Sequence, residues 1–182
     1  MHLNEYEDLL ERLEGEEFEQ FELGADVYQQ LLAIYLYQNK LANAKLLWMR
    51  IPDKLKDDKE LNQLNLLNLA LQHNNYADFF RNIKYEWSEK VRAPIEDLLV
   101  KQREELFNLM GSAYVSIYQQ NLLELSQMSE EELKKTCTAL NWGEELDGDR
   151  VILKPKIREA PPSRSNDDQL LKLTEFVTFL EN

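Results

Sequence analysis

The sequence contains few of the residues that interrupt helices or build catalytic and metal sites. Its 182 residues include five Gly, five Pro, one Cys and two His. A single cysteine excludes an internal disulfide, and the helical pattern around Cys137 indicates a small core residue. The only histidine partners for a catalytic thiol are His2 and His73, which cannot together supply a local metal cluster. We therefore predict no catalytic residues, no metal site and no cofactor.

Short motifs of common enzyme classes are also missing. The chain has no HExxH metal motif, no G-x-x-x-x-G-K phosphate loop, no G-x-G-x-x-G turn and no G-x-S-x-G elbow. The acidic runs at residues 57–58 and 130–132 are typical of solvated helix starts, not of paired carboxylates in a cleft. We expect a protein that is not an enzyme and has no small-molecule substrate.

Positive charge and long apolar runs are scarce. The formal net charge is −13, with 21 Lys and Arg against 34 Asp and Glu. Nucleic acids and anionic membranes attract clustered Lys and Arg, so this balance disfavours both as partners. The longest apolar run, residues 31–37, is far shorter than the roughly 20 residues that cross a bilayer. The N-terminus lacks the basic start of a signal peptide, and we expect a reducing intracellular compartment.

Helical apolar patterns dominate what remains, most clearly in residues 27–52. Apolar residues recur there at the spacing of two amphipathic helices, which a polar turn at residues 38–40 separates. Pro52 cannot continue the second helix. A tetratricopeptide-type helix pair has a similar skeleton, although Leu32 replaces its usual Gly. The residues of that skeleton are Leu31, Tyr35, Ala44 and Trp48.

Further helices are predicted on both sides of this pair. Residues 3–14 form an acidic helix that Gly15 ends, and a loop over residues 16–22 pins two aromatic residues, Phe18 and Phe21. A helix from Pro52 to about His73 has apolar residues on two sides, which predicts burial between two neighbours in a stacked array. Those residues are Leu61, Leu64, Leu67 and Leu71 on one side, and Leu66, Leu69 and Ala70 on the other.

Two more apolar segments complete a helical array that we assign to residues 1–113. The third stripe consists of Tyr76, Phe79, Phe80, Ile83 and Trp87, and we interpret it as core packing. Pro94 fits the first turn of a long helix that continues to Ala113.

The pattern changes in residues 114–154, which predict a winged-helix module. Residues 114–118 are short and β-prone, and residues 121–128 form a short helix. Ser129 and Glu132 have the spacing of a capping box at the start of a second helix, which Gly143 stops. Asp147, Gly148 and Asp149 then mark the turn of a hairpin. Strand, helix, helix and hairpin is the element order of a winged helix.

This module is predicted to contact protein and not DNA. Winged helices often bind DNA through the second helix of the pair, but here that helix opens with three glutamates. An unpaired edge of the hairpin at Val151, Ile152 and Leu153 could add to a sheet in a neighbouring chain. The alternative is a hairpin that only covers its own core.

A separate helix ends the chain. Residues 155–166 are Pro-rich and polar and form a linker. In the helix at residues 167–182, four residues recur at 3-4-3 spacing, a seam for another helix. The helix could fold back on its own domain, but its wide apolar surface favours insertion between several partner helices. The seam is Leu170, Leu173, Val177 and Leu180, and the other apolar residues are Leu171, Phe176 and Phe179.

Three stretches resemble one known family. The sequence YQQLLAIYLYQN followed by ANAKLLWMRIP at residues 28–52, YEWSE at residues 85–89 and LLKLTEFVTFLEN at residues 170–182 are similar to the family of COP-nine signalosome subunit eight. That family belongs to the PCI-domain proteins, which also occur in the proteasome lid and in a translation initiation factor. The resemblance implies a PCI-type fold, a mostly α helical array followed by a winged helix.

The resemblance also implies a function. Its members are small non-catalytic subunits of a complex that removes the ubiquitin-like modifier from cullins and so regulates cullin–RING ubiquitin ligases. The zinc site of that complex belongs to another subunit. The winged-helix edge at residues 151–153 and the C-terminal helix, entering a helical bundle, would bind other subunits in the cytoplasm and nucleus. Two alternatives stay open: a stand-alone adaptor that holds a peptide on its helical array, and a winged helix that binds nucleic acid.

Overall fold

A computed structural model gives the fold and describes residues 2–19, 23–148, 150–155 and 166–180, leaving out the side chains of residues 2–5 and 166–169. The elements, in chain order, are α1 (His2–Glu19), α2 (Ala25–Tyr37), α3 (Leu41–Arg50), α4 (Asp53–Lys56), α5 (Lys59–Gln72), α6 (Tyr76–Asn82), α7 (Glu89–Ala113), β1 (Ile117–Tyr118), α8 (Gln119–Ser126), α9 (Glu130–Ala139), β2 (Gly143–Asp147), β3 (Arg150–Lys154) and α10 (Asn166–Leu180).

Helix α2 lies at the centre of the array. It packs against α1, α3, α5 and α7, so its residues 31–36 are all buried. Ala44 and Leu47 of α3 are fully enclosed, and the small Ala44 side chain lets α2 and α3 approach closely. The predicted helix pair is therefore confirmed, and α3 ends at Arg50, just before Pro52.

Asparagine ends three of the helices in the same way. Asn39, Asn74 and Asn141 follow α2, α5 and α9 and have φ values of 58°, 52° and 56°. In each case the next residue donates its backbone N–H to a carbonyl five positions earlier, as in a Schellman motif. Asparagine tolerates this left-handed conformation better than most residues. The prediction that Gly143 stops α9 is wrong, because α9 ends at Ala139, before Asn141, and Gly143 begins β2.

Helix α1 is longer than predicted. It continues through Gly15 to Glu19, and the expected loop at residues 16–22 is wrong over its first four residues. The guanidinium of Arg50 donates two 2.9 Å hydrogen bonds to the Glu17 carboxylate, which holds this last turn against α3. Phe18 is 94% exposed and pins nothing, and Phe21 lies outside the described residues.

The helix expected from Pro52 to His73 is two helices. Asp58 caps the second of them, α5, by accepting a 2.9 Å hydrogen bond from the backbone N–H of Leu61. The Asp58 carboxylate also accepts from the Gln29 side chain, which ties the cap to α2. The predicted burial between two neighbours is wrong for Leu66 and Leu69, which are 45% and 40% exposed. The opposite side is buried as expected and consists of Leu61, Leu64, Leu67 and Leu71.

The start of α7 also differs from expectation. The helix begins at Glu89, so Pro94 lies in the second turn and not in the first. Trp87 lies outside the α6 stripe, in the loop before α7, where its indole N–H donates a 2.9 Å hydrogen bond to the Ile83 carbonyl. Phe79 and Phe80 of α6 are fully buried and meet edge to face, which confirms their role in the core.

Residues 117–154 have the predicted winged-helix order. The sheet order is β1-β3-β2, with both pairs antiparallel. Leu122 of α8, Leu133 and Cys137 of α9 and Leu153 of β3 are buried beneath it. Gly148 in the wing turn has a φ of 61°, a conformation that favours glycine, whereas Asp149 is outside the described residues.

The array and the winged helix share one hydrophobic core. The cluster of buried side chains runs without a break from Tyr6 in α1 to Leu153 in β3. Helix α6 packs directly on α8, and the Lys84 ammonium donates a 3.1 Å hydrogen bond to the Gln127 carbonyl beside that contact. The proposed module bounds, residues 1–113 and 114–154, stay a prediction, because the hydrophobic core continues across that boundary.

Candidate partner-binding surfaces

The single cysteine is chemically quiet. Cys137 is buried in α9, and burial, with a smaller contribution from Glu144, raises the pKa of its thiol to about 11. A thiol with that pKa stays protonated at neutral pH and is a poor nucleophile. Within the described residues, no group of three His, Cys, Asp or Glu side chains is arranged to hold a metal ion.

Across the described parts of the chain, none of the helices combines enough length with enough apolar character to cross a bilayer.

The tip of α9 is negatively charged. The Ser129 hydroxyl accepts a hydrogen bond from the backbone N–H of Glu132, and the Glu132 carboxylate accepts one from the backbone N–H of Ser129. This confirms the capping box, and the backbone bond from Ser129 lowers the pKa of Glu132. Glu130 and Glu131 are exposed on the same turn. Three carboxylates therefore stand where a DNA-binding winged helix would approach phosphates.

The edge strands of the described sheet are β1 and β2, and β3 lies between them. Ile152 and Leu153 pair with Tyr118 and Ile117 on one side and with Glu145 and Glu144 on the other. The expectation of an unpaired backbone at Val151–Leu153 is therefore wrong, because the two-residue strand β1 covers that side. Leu153 is 2% exposed and belongs to the core, while Val151 and Ile152 are partly exposed. Whether these side chains bind a partner stays a prediction.

Leu146 in β2 is a surface residue that the sequence reading missed. It pairs with Val151 near the wing turn and is 78% exposed. The signal was present, because Leu146 is the one apolar residue between Glu144, Glu145 and Asp147. All five residues of β2 are exposed, so its backbone and the Leu146 side chain are accessible together.

Helix α10 exposes a large apolar surface. Its seven large apolar side chains are between 50% and 78% exposed, although each would be favoured in a core. They are Leu170, Leu171, Leu173, Phe176, Val177, Phe179 and Leu180. The hydrophobic core of the body contains none of them. The structure thus places the predicted helix outside the body, and the linker residues 156–165 and residues 181–182 are outside the described part.

Polar side chains occupy only a small part of the circumference of α10 over residues 170–180. The hydroxyls of Thr174 and Thr178 donate 2.8 Å hydrogen bonds to the carbonyls of Leu170 and Thr174, so both can be buried without losing a partner. Over residues 170–180, the charged side chains are Lys172 and Glu175. At 3.6 residues per turn these two lie about 60° apart on the helix. The rest of the surface can be covered by protein.

Comparison with known proteins agrees with this architecture. The family described as the CSN8/PSMD8/EIF3K family matches residues 22–164. A COP9 signalosome complex subunit 8 from Drosophila melanogaster is 80% identical over 182 residues, the full length of both chains. The proteins of the same name from Xenopus tropicalis and Danio rerio are 33% and 31% identical over 159 and 160 residues, which cover 86% of this chain and 82% and 83% of theirs. The family match spans α2 to α9, the three strands and most of the linker, and on this basis the chain belongs to the CSN8/PSMD8/EIF3K family.

Proposed function

We propose that this chain is a non-catalytic structural subunit of the COP9 signalosome. The name of the relatives with high identity, which says that they are subunits of that complex, supports this assignment. Through the complex, the chain contributes to removal of the ubiquitin-like modifier from cullins and so to regulation of cullin–RING ubiquitin ligases. Its own contribution is structural, and the chemistry belongs to another subunit.

The exposed surface of α10 is the observation that carries the proposal. Burying a Leu, Val or Phe side chain fully is worth about 1.5–3 kcal/mol, so seven half-exposed side chains form a strong docking element. An isolated helix of 15 residues is marginal in water, so α10 gains stability only when something covers it. Neighbouring helices that enclose it on several sides provide such a cover.

The wing offers a second contact. An extended strand from a neighbouring subunit can pair with the free edge of β2, where backbone groups and Leu146 are exposed. The partly exposed Val151 and Ile152 add apolar surface to the same sheet. In this proposal Val151 and Ile152 contribute side chains, Leu153 stays in the core, and backbone pairing takes place at β2.

The charge of the chain disfavours two other classes of partner, nucleic acids and anionic membranes. The carboxylates at the start of α9 and the net charge of −13 disfavour nucleic acids and anionic membranes. We assign the chain to the cytoplasm and the nucleus, where cullin-based ligases act.

Co-purification tests the assignment. Tagged chain is expressed in cells that lack the native copy, and extracts are resolved by size-exclusion chromatography and mass spectrometry. The full chain is expected to elute with the other signalosome subunits. A variant that lacks residues 166–182 keeps the complete core and is expected to elute alone. A full chain found mainly near its own 21.6 kDa would contradict membership in the complex.

A matched pair of variants localises the contact. Leu173→Asp with Val177→Asp places two charges in the apolar seam and is expected to reduce recovery of the other subunits at least about tenfold, since a charge in an apolar contact is costly. Lys172→Gln with Glu175→Gln alters the polar strip and is expected to leave recovery unchanged. Equal recovery of both variants would show that α10 does not dock through its seam.

A further inference from the structure

A small cleft lies where the two asparagine turns of the array meet α7. The α2–α3 turn contributes Asn39, the α5–α6 turn contributes Asn74, and α7 contributes Gln102 and Glu105. The cavity volume is about 160 Å³. A cavity of about 150 Å³ is enough for one benzene molecule, so the cleft has room for a single planar group.

The cleft is lined by both apolar and polar side chains. Leu41, Leu71 and Phe79 provide aliphatic and aromatic contacts. Tyr76 also lines the cleft, with its ring stacked on Phe80 at a centroid distance of 6.4 Å. A ligand that suits this arrangement has an apolar stem and a polar, planar end.

The cleft has one free carboxylate oxygen and two exposed amides, those of Asn39 and Asn74, each with an oxygen acceptor and N–H donors. The Glu105 carboxylate accepts a 2.9 Å hydrogen bond from the Gln102 amide through one oxygen, Oε2. Among the described residues no cation pairs with Glu105, and no hydrogen bond reaches the side chains of Asn39 or Asn74. Asn75 is different, because its amide is occupied by the Asp78 backbone and carboxylate. The cleft therefore offers a free oxygen of the Glu105 carboxylate beside the amide oxygens of Asn39 and Asn74.

The unpaired carboxylate affects its neighbour. The pKa of Tyr76 is raised, first by burial and then by the negative charge of Glu105. A nearby cation would oppose that second effect. Within the described ranges, no Lys or Arg side chain forms an ion pair with Glu105.

We propose that this cleft binds the side chain of an arginine from a partner polypeptide. Guanidinium has five N–H donors and no acceptor, so it can bond the free Glu105 oxygen and the amide oxygens at once. Its plane can stack on the Tyr76 ring, and its methylene stem fits against the apolar side chains. An anion or a carboxylate ligand would meet Glu105 unfavourably. The net charge of −13 also attracts a cationic ligand.

This inference goes beyond the proposed function, because the cleft shares no residue with α10 or the sheet. The ligand chemistry is a property of the isolated chain. Failure of one proposal therefore leaves the other standing.

A titration of the full chain with Nα-acetyl-arginine amide tests the proposal. Amide NMR spectra are expected to show saturable shifts at residues 39, 74, 102 and 105. Nα-acetyl-norleucine amide has the stem without the charge and is expected to cause no saturable shift. The lysine analogue is expected to bind more weakly, because an ammonium cannot bond in a planar fork. Absence of saturable shifts with the arginine analogue, or equal shifts with norleucine, would overturn the proposal.

Two variants provide the matched comparison. Glu105→Gln keeps the shape of the side chain, removes its charge and is expected to weaken arginine binding at least about tenfold, as loss of a charge-assisted hydrogen bond does. Glu104→Gln changes the exposed neighbour on α7 and is expected to leave binding unchanged. If circular dichroism shows that Glu105→Gln is unfolded, the salt dependence of arginine binding to the native chain replaces this comparison. Binding that depends on the Glu105 charge is expected to weaken as the salt concentration rises. Binding that resists salt and survives Glu105→Gln contradicts the proposal.

Discussion

The hydroxyl of Tyr35 donates a 2.6 Å hydrogen bond to the carboxylate of Glu14 and so joins the central helix α2 to α1. Tyr35 is buried, whereas Glu14 lies at the surface. The pKa of Tyr35 is raised, first by burial and then by the hydrogen bond to Glu14. This bond makes α1 part of the array.

Removing the Tyr35 hydroxyl is expected to weaken the fold and change its alkaline stability. Tyr35→Phe loses one hydrogen bond to a carboxylate, which costs about 1–1.5 kcal/mol of unfolding free energy at neutral pH. A raised pKa means that the folded chain holds the phenol proton more tightly than the unfolded chain. The contribution is therefore complete below the ordinary value of 10.0 and is lost as the pH rises through the folded pKa. Urea unfolding at neutral and at alkaline pH measures both effects.

The control for this experiment is Tyr114→Phe, which alters an exposed tyrosine. It is expected to leave the unfolding free energy and its alkaline decline unchanged. An equally steep alkaline decline in Tyr35→Phe and in the unmodified chain would refute the role given to Tyr35.

Two adjacent leucines of α5 are expected to differ sharply in how much stability the fold loses when each is replaced by alanine. Leu67 is fully buried, and Leu67→Ala should cost about 3 kcal/mol because it removes packing and leaves a cavity. Leu66 is 45% exposed, and Leu66→Ala should change stability by no more than about 0.5 kcal/mol. Denaturant unfolding of both variants makes the comparison. Similar losses at both positions would mean that α5 is packed on two sides after all.

At the left-handed position after α9, glycine is expected to preserve the stability of the fold better than alanine. Asn141 has a φ of 56°, and Asn141→Ala should cost about 1 kcal/mol because its Cβ disfavours that conformation. Asn141→Gly should be close to neutral. Thermal unfolding followed by circular dichroism ranks the three chains. A stable alanine variant would argue that α9 ends differently in solution.

The thiol of Cys137 is expected to report opening of the winged helix. It is buried, with a raised pKa of about 11, so an added thiol reagent should react with the native chain far more slowly than with free cysteine. Denaturant should bring the rate to that of free cysteine. Because the chain has one cysteine, the whole absorbance change of the thiol reagent reports the reaction of Cys137. Rapid modification of the native chain would show that α9 is not packed as described.

Local signals made much of the fold predictable. Pro52, the capping box at Ser129 and the polar turn at residues 38–40 act within a few residues, so sequence spacing was enough to place those helix ends. The order of the winged helix and the core role of Cys137 followed from the same spacing rules. The C-terminal helix was recognised from its apolar repeat.

The wrong predictions came from contacts between distant residues. The bond between Arg50 and Glu17 extends α1 past Gly15, and nothing near Gly15 in sequence indicates it. Whether β3 is an edge strand or a central strand depends on whether Ile117 and Tyr118 pair with it. Sequence spacing does not reveal that pairing. The arginine cleft also joins residues from three separate segments, so no linear motif marks it.

The unbroken core between α6 and α8 has a mechanical consequence. Helix α6 packs on α8 inside one continuous cluster of buried side chains, so parting the array from the winged helix would bring part of that cluster into water, and the two move as one rigid piece. A protein that grips the β2 edge therefore also fixes the direction in which the array points. The array and the winged helix therefore present their surfaces to any partner at one fixed angle.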